Sequence, residues 1–549
     1  MKKHLIMLTI LLCLVLMLSS IGIFAAGSQE KAEGGQVLRI IHPRNSGNWS
    51  PFIGAGHEIR WNSLQWASPM YFDKNGKIQP YVFSEWSGNA DNTVWTFTIA
   101  ENAVFSDGSP ITAEDVKGSW DLCVRPSTQH LRVDLSLSGV VGYDKVSLGE
   151  TIEMSGLVIK DSRTIEVTLS KPDPIFYQKI ATALIPPVKI SQARDSNGDQ
   201  ITEWWTAKNG VVVSGPFMPQ DMDLDSGIIT LVKNPNFFGP EPKLDKIIIT
   251  TVKDEQTATL LFQRGEMDAH TELMTTTMIQ DLGKEFVDGA ILAKGHHFWF
   301  SSNKPPMDDI NVRKALIMAV DTKKMFEIAF PDGPHQPATQ IVNKVKGVDP
   351  DYKEYPYDPE AARAALAASS YGNAANLPKL MFVGISTPSH ELAAQYIAEQ
   401  WRQVLGIKGT EMKPEQDSYQ GPDQMQIQIF RDDVGTRVPD MVSYLMGAIH
   451  SSSGNAQGKM GGYHNAKIDA LLEEASAKSV DDPARIALAQ EAQRIFRDDW
   501  QYIPYYYETM SKWAMPWVLN FDKNDDWQVI EPWAVSIDEE LKAKMTNGK

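Results

Sequence analysis

The chain has 549 residues, of which 42% are hydrophobic and 22% are charged, and this composition excludes a disordered or collagen-like protein. A single hydrophobic core rarely grows beyond about 250–300 residues, so we expect two or three domains. The formal net charge of −17 argues against nucleic acid as a partner, because such binding needs cationic groups opposite phosphates. Two cysteines are too few for a disulfide scaffold.

The N-terminal segment has the features of an export signal. Lys2 and Lys3 precede an apolar run from Leu5 to Phe24, and the small residues Ala25–Gly27 follow. This order is typical of a secretory signal peptide. We therefore predict a signal peptide at 1–26, a linker at 27–36 and a periplasmic or otherwise extracytoplasmic protein. The alternative is a retained membrane anchor of about 20 residues.

Strand and helix patterns alternate along the rest of the chain. Apolar or alternating segments predict strands at 37–41, 94–99, 164–169, 227–232 and 246–252. Thr112 and Asp115 have capping-box spacing, and Asp358 and Asp482 each stand before a proline that favours the first helical turn. An apolar helical face between 393 and 405 ends at Gly406. The alternation predicts the α/β class.

Motifs for catalysis or metal binding are incomplete in this sequence. It contains no Gly-rich phosphate loop, no Gly-x-Ser-x-Gly elbow and no Cys-x-x-Cys pair. His390 and Glu391 begin a zinc-protease pattern whose second histidine is missing. Asp221–Asp225 resembles a calcium loop without its glycine and its bidentate acid, which favours a polar hairpin turn. His296 and His297 are adjacent, so in a strand they face opposite sides. We therefore predict no catalytic residue, no metal site and no cofactor.

Five segments, in order, resemble one protein family. The most specific is Phe105–Val116 (FSDGSPITAEDV), within the longer match Tyr71–Trp120. The others are Ser214–Phe217 with Lys233–Gly239, Asn303–Asp321, Tyr357–Ala362, and Gly462–Leu472 with Ile503–Tyr507. Together they resemble the extracellular solute-binding proteins of peptide- and nickel-type ABC importers (the oligopeptide- and dipeptide-binding family 5).

The resemblance implies a domain organisation. It is that of an α/β, two-lobed periplasmic binding protein fold (type II-like, cluster C) with an extra domain inserted in lobe one. By order along the chain, lobe I takes 37–69, 211–297 and 503–549, the inserted domain II takes 70–210, and lobe III takes 298–502. The chain would cross between lobes at about His297–Asn303 and Ile503–Tyr507. Ligand would lie between the lobes and be buried when they close.

The resemblance also implies a function. The protein would be a non-catalytic, monomeric substrate-binding component that delivers a solute to an ABC permease with its ATPase. Asn45, Trp49, Trp66, His297 and Trp299 would line the cleft, where two aromatic faces can hold a sugar ring or an apolar side chain. Core packing is the alternative for each tryptophan.

The segment Arg431–Met446 bears on the ligand. Peptide binders of the family carry an aspartate here that pairs with the peptide α-amino group. Aligned on Ser443–Leu445, the matching position is Arg437, and Asp433 or Asp440 can substitute if the register shifts. We predict Arg437 and Asp440 as ligand-binding residues. An oligopeptide is the first candidate ligand, an oligosaccharide is the alternative, and a secreted hydrolase is the alternative class of protein.

Overall fold

The computed structural model describes residues 35–43, 47–52, 61–130, 132–270, 291–331, 335–385, 387–413, 427–436, 438–509, 514–522 and 529–546. The predicted signal peptide, most of the predicted linker, Asn45 and Arg437 lie outside these ranges. Within them, no helix combines the length and the apolar character that a membrane span requires.

Between residues 35 and 270 there are eleven strands and seven α-helices in the described ranges. The strands are β1 (Val37–His42), β2 (Met70–Phe72), β3 (Ile78–Pro80), β4 (Phe83–Gly88), β5 (Val94–Ile99), β6 (Leu157–Asp161), β7 (Thr164–Thr168), β8 (Phe217–Asp223), β9 (Ile228–Lys233), β10 (Lys246–Thr251) and β11 (Ala269–His270). The helices are α1 (Asn62–Gln65), α2 (Ala113–Val124), α3 (Asp134–Leu137), α4 (Tyr143–Ser147), α5 (Phe176–Lys179), α6 (Ile190–Ala193) and α7 (Glu255–Gln263).

The remaining elements fall into two parts. Residues 291–509 contain β12 (Ile291–Phe300), β13 (Gln336–Pro337), β14 (Leu380–Val383), β15 (Thr410–Met412), β16 (Ile429–Gly435) and β17 (Tyr502–Thr509), with α8 (Ile310–Met318), α9 (Thr322–Ala329), α10 (Pro359–Ala368), α11 (Pro388–Leu405), α12 (Met441–Ala448), α13 (Ala466–Ser476) and α14 (Pro483–Asp498). Residues 514–546 contain β18 (Val518–Leu519), β19 (Ser536–Ile537) and α15 (Glu539–Thr546).

The first lobe is built on a five-stranded sheet. Its strand order is β11-β1-β10-β9-β8, with β1 parallel to both β10 and β11. The β8–β9 hairpin contains the acidic run 221–225, where the Asp223 carboxylate accepts hydrogen bonds from the amides of Asp225 and Ser226. The acidic run therefore forms the predicted polar hairpin turn.

A second sheet is inserted between β1 and β8. It is four-stranded and antiparallel, in the order β4-β5-β7-β6, and one hydrophobic cluster runs through both sheets. The chain returns to the first sheet at Gly215, where a Cβ atom would lie 2.5 Å from the carbonyl carbon of Gln65. The Ser-Gly-Pro motif thus has a steric reason, because only glycine permits this close approach.

The second lobe is a sheet covered by helices on both faces. Its strand order is β13-β17-β12-β16-β14-β15. Alternate residues of β12 enter different cores: Trp299 packs in the cluster that contains residues of α12–α14, whereas Phe298 and Phe300 pack in the cluster that contains residues of α8–α11. This alternation is the two-residue period of a strand buried on both sides.

Most residues at the two predicted inter-lobe crossings lie within the six-stranded sheet. His297–Phe300 and Ile503–Tyr507 are paired within the six-stranded sheet, as parts of β12 and β17. Ile503–Tyr507 is apolar because it is a central strand. The chain passes between the two large sheets at 271–290 and 510–513, outside the described residues, and Ala514 then bridges back to Ala269.

Candidate ligand-binding site

A group of charged side chains lies on one face of the six-stranded sheet, where three strands meet. His296 on β12 stands opposite Asp433 on β16 and opposite Tyr506 on β17. Lys294 precedes His296 by two residues and therefore faces the same side. We call Lys294, His296, Asp433 and Glu508 the charged cluster.

Short polar contacts connect the charged cluster. The Lys294 Nζ atom lies 3.0 Å from Asp433 Oδ2 and 3.2 Å from Glu508 Oε2. His296 Nε2 lies 3.0 Å from the same Glu508 oxygen. The side chains of Lys294 and Asp433 are 30% and 38% exposed, whereas Glu508 is only 6% exposed. The cluster therefore has a buried end at Glu508 and an open end at Lys294 and Asp433.

The charges of the cluster stabilise one another. Burial alone would raise the pKa of Glu508, but Lys294 and the hydrogen bond from His296 lower it to about 2. Burial opposes the ionisation of Asp433 too, and Lys294 nevertheless holds the pKa of Asp433 below its ordinary value. Burial disfavours the Lys294 ammonium, yet the carboxylates of Asp433 and Glu508 raise the pKa of Lys294 overall. Two carboxylates and one ammonium are therefore present at neutral pH.

A second layer of side chains holds His296 in place. Arg431 Nη1 donates to His296 Nδ1 across 3.1 Å, and the imidazole stacks on the Tyr506 ring with centroids 4.2 Å apart. Burial lowers the pKa of His296, so the ring is neutral at pH 7. Because Nδ1 accepts from the guanidinium, the proton of the neutral ring is on Nε2, and His296 donates to Glu508. Such fixed partners preorganise a binding site.

The charged cluster lies at one end of the six-stranded sheet. β12 begins at Ile291, three residues before Lys294, and β17 ends at Thr509, one residue after Glu508. Asp433 is near the carboxyl end of β16, which runs parallel to β14. Open α/β sheets bind ligands outside the carboxyl ends of their strands. The charged cluster thus lies at the end of the six-stranded sheet where β12 begins and where β16 and β17 end.

The first lobe contributes buried aromatic residues. The His42 ring stands edge-on to Trp49 and to Trp61, at 6.1 Å from each, and Trp66 lies 5.5 Å from Trp204. Trp49 is 5% exposed and Trp66 is 1% exposed. The structure therefore places both predicted cleft tryptophans in the lobe I core, although in separate ring contacts.

His297 and Trp299 lie on the opposite face of the sheet from the charged cluster. Both are fully buried, their rings meet at 5.1 Å, and the Trp299 indole N–H donates to the Asp432 carbonyl oxygen across 3.2 Å. Burial lowers the pKa of His297 to about 3. Trp299 is therefore packed in a hydrophobic core, which was the alternative interpretation for each tryptophan.

Asp440 makes contacts within its own lobe. Its carboxylate accepts from the Ser443 amide at the start of α12. It also forms a two-point ion pair with Arg485, at 2.8 Å and 3.1 Å, and the Arg485 side chain is 1% exposed. Within the described residues, the Asp440 carboxylate thus caps α12 and forms a buried ion pair.

Lys294 and Glu508 are site residues that the sequence analysis did not select. The one available signal is a charged side chain inside an otherwise apolar strand, as in YIPYYYET for β17. Glu508 is 212 residues from its partner His296 along the chain, so no local pattern could pair them. Asp433 was identified only as a substitute for Arg437, which lies outside the described residues.

Two large sheets, each with its own helices, are typical of a two-lobed binding protein. Residues 77–456 match the model of the bacterial extracellular solute-binding proteins, family 5 (middle region). Because that match covers more than half of the chain, the protein belongs to this family.

Several proteins similar to this chain are described as binding proteins. The chain is 25% identical over 500 residues to the dipeptide-binding protein DppE of Bacillus subtilis, covering 88% of this chain and 89% of the relative. It is 24% identical over 465 residues to the periplasmic oligopeptide-binding protein OppA of Escherichia coli, covering 82% and 83%. The structure of the Escherichia coli murein tripeptide binding protein MppA superposes with a TM-score of 0.72 at 22% identity, covering 92% and 99%. The two-lobed fold is thereby shown.

Proposed function

We propose that this protein is the substrate-binding component of an ABC import system and captures an oligopeptide between its two lobes. The supporting observation is the partly exposed carboxylate of Asp433, near the carboxyl end of β16, in a chain that belongs to family 5. The proposal includes a non-catalytic, monomeric, extracytoplasmic protein that passes its ligand to a permease with its ATPase.

Asp433 is our candidate for the group that receives the peptide α-amino group. It is preferred to Asp440, because the Asp440 carboxylate is engaged by Arg485 and by the start of α12. Charge-assisted hydrogen bonds between an ammonium and a carboxylate are roughly twice as strong as neutral ones. The site would therefore select the amino terminus of a ligand by charge.

Peptide is favoured over oligosaccharide for two reasons. The relatives named above are described as dipeptide-, oligopeptide- and murein tripeptide-binding proteins. In addition, Trp66 and Trp299 are buried, so neither presents the open aromatic face on which a sugar ring would stack.

Closure of the lobes is the expected consequence of binding. A cavity of about 550 Å³ is bordered by Phe72, Trp86 and Tyr177 of the predicted inserted domain and by Lys346 and Asp481 of the second lobe. A ligand that contacts both lobes favours the closed arrangement by its differential affinity for it. The permease would recognise that closed form.

Replacing Asp433 by asparagine is expected to weaken the binding of a tripeptide with a free amino terminus by about 10-fold. The reason is that a charged hydrogen bond worth roughly 1.5–3 kcal/mol becomes a neutral one worth roughly 0.5–1.5 kcal/mol. Isothermal titration calorimetry on protein stripped of ligand by unfolding and refolding measures the effect.

The matched control is Asp225→Asn, which makes the same change on the exposed β8–β9 turn and should leave affinity unaltered. Wild-type affinity in the Asp433→Asn variant would show that another group receives the amino terminus. Failure of the wild-type protein to bind any peptide would overturn the proposed function itself.

A further inference from the structure

Lys294 already holds the position that a ligand's amino group would take. Its ammonium lies 3.0 Å from Asp433 and 3.2 Å from Glu508, between the two carboxylates. A cation arriving at Asp433 therefore meets a carboxylate that has a positive partner. Binding of an amino group has to be an exchange of partners.

The two carboxylates differ in how firmly they are held. Glu508 is 6% exposed and also accepts a hydrogen bond from His296, at 3.0 Å. Asp433 is 38% exposed. Lysine is a compact charge on a flexible four-carbon chain, so its ammonium can leave one carboxylate while it keeps the other. Because Glu508 is more buried and also bound to His296, it is the carboxylate that Lys294 retains.

We propose that Lys294 is a displaceable counter-ion that determines the specificity of the site for amino groups. In the ligand-free protein it neutralises the pair Asp433 and Glu508, whose like charges would otherwise repel. When ligand binds, the Lys294 ammonium stays paired with Glu508 and leaves Asp433, which then pairs with the ligand's ammonium. This inference rests on the proposed function, since it concerns the same site.

The ligand class follows from the exchange. A ligand with an ammonium replaces the Lys294 contact at Asp433 with an equivalent one, whereas a ligand with a blocked, neutral amino terminus leaves Lys294 in place. The preference of the wild-type protein for free over N-acetylated peptides is therefore reduced by Lys294. Removing Lys294 should enlarge that preference.

The test compares a tripeptide with its N-acetylated form by calorimetry, and the ratio of the two affinities is the readout. In Lys294→Met the ratio is expected to rise at least fivefold. Glu508→Gln keeps an acceptor for His296 but leaves Lys294 with Asp433 as its one carboxylate partner in the charged cluster. Lys294 then competes more strongly with the ligand's ammonium for Asp433, so the ratio is expected to fall. The two variants change the ratio in opposite directions.

Lys459→Met is the matched control. Lys459 is a second nearby ammonium, but it pairs with Asp432 at 2.7 Å and reaches only the backbone oxygen of Asp433. If Lys294 acted only through the electric field of its ammonium and not through its contact with Asp433, Lys459→Met would raise the ratio as much as Lys294→Met does. We expect a change of less than twofold.

An unchanged or lower ratio in Lys294→Met, or an equal rise in Lys459→Met, would overturn the counter-ion role while leaving peptide binding intact. If Lys294→Met does not fold, Lys294→Gln, which retains hydrogen bonding without the charge, and Glu508→Gln decide the question with the same ratio. If wild-type protein binds neither peptide, both this inference and the proposed function fail.

Discussion

Asp440→Ala is expected to lower the free energy of unfolding by about 3–5 kcal/mol, because it breaks a buried ion pair and leaves one buried charge without its counter-ion. The remaining charge is the guanidinium of Arg485, whose side chain is 1% exposed. The substitution also removes the acceptor for the Ser443 amide at the start of α12, and loss of such a cap costs about 1 kcal/mol. Urea unfolding followed by circular dichroism measures the loss.

The control is a surface ion pair in the same lobe. Lys346 and Asp481 approach to 3.4 Å with side chains 61% and 92% exposed, and Asp481→Ala should cost less than about 1 kcal/mol. Peptide affinity of any folded Asp440→Ala protein should match that of the wild type. A variant with wild-type stability and lost affinity would instead place Asp440 in contact with ligand.

Acidification is the second change with a large expected effect, because three histidines, of which two are buried and His335 is half-buried, resist protonation. Burial, as the main cause, lowers the pKa of His297 to about 3, of His335 to about 4 and of His390 to about 2. The charge of Arg431 adds to the effect at His390. Each of these histidines is therefore neutral in the folded protein throughout the range in which an unfolded chain takes up protons.

The sign of the effect on stability follows from proton binding. Between about pH 6.5 and pH 4 the unfolded chain binds more protons than the folded one, so stability falls as the pH falls. Asp121 acts in the opposite direction, because burial raises its pKa to about 6 despite the nearby Lys117. A pH of 5 is about 1.5 units below the ordinary pKa of the unfolded histidines, and about one unit below the raised pKa of Asp121. With about 1.36 kcal/mol for each unit, three histidines against one aspartate leave a net loss on the order of 5 kcal/mol relative to pH 7.5.

Thermal unfolding monitored from pH 7.5 to 4.5 tests this pH dependence. The expected result is a melting temperature that falls steadily below pH 6.5. His335→Gln, which removes one of the three groups, should make that fall shallower by about a third. A melting temperature that is constant over this range would show that these histidines are protonated or exposed in the folded protein.

Local structure was largely predictable from sequence, because its signals lie within a few residues. The strand Val94–Ile99 and the capping box of Thr112 and Asp115 occur as predicted. The helix starts at Asp358 and Asp482 and the helix end at Gly406 are also confirmed. The adjacent histidines 296 and 297 face opposite sides of β12, as the two-residue period requires.

Long-range partners were not predictable, because no local pattern records them. Asp440 was assigned to the ligand from its place in a motif, but its ion-pair partner Arg485 is 45 residues away. The aromatic run near residue 505 was assigned to a crossing between lobes, and its strand partners in β12 and β13 are more than 160 residues away along the chain. Lys294, Asp433 and Glu508 meet only because β12, β16 and β17 are neighbours in one sheet.

The most direct test of peptide capture is a titration of refolded, ligand-free protein with di- to pentapeptides and, in parallel, with cello-, xylo- and manno-oligosaccharides. Calorimetry should show saturable binding of peptides at one site per chain, and chromatography of the mixture should recover the peptides intact. Saturable binding of a sugar with no response to any peptide would contradict the proposed function, and so would hydrolysis of the peptide.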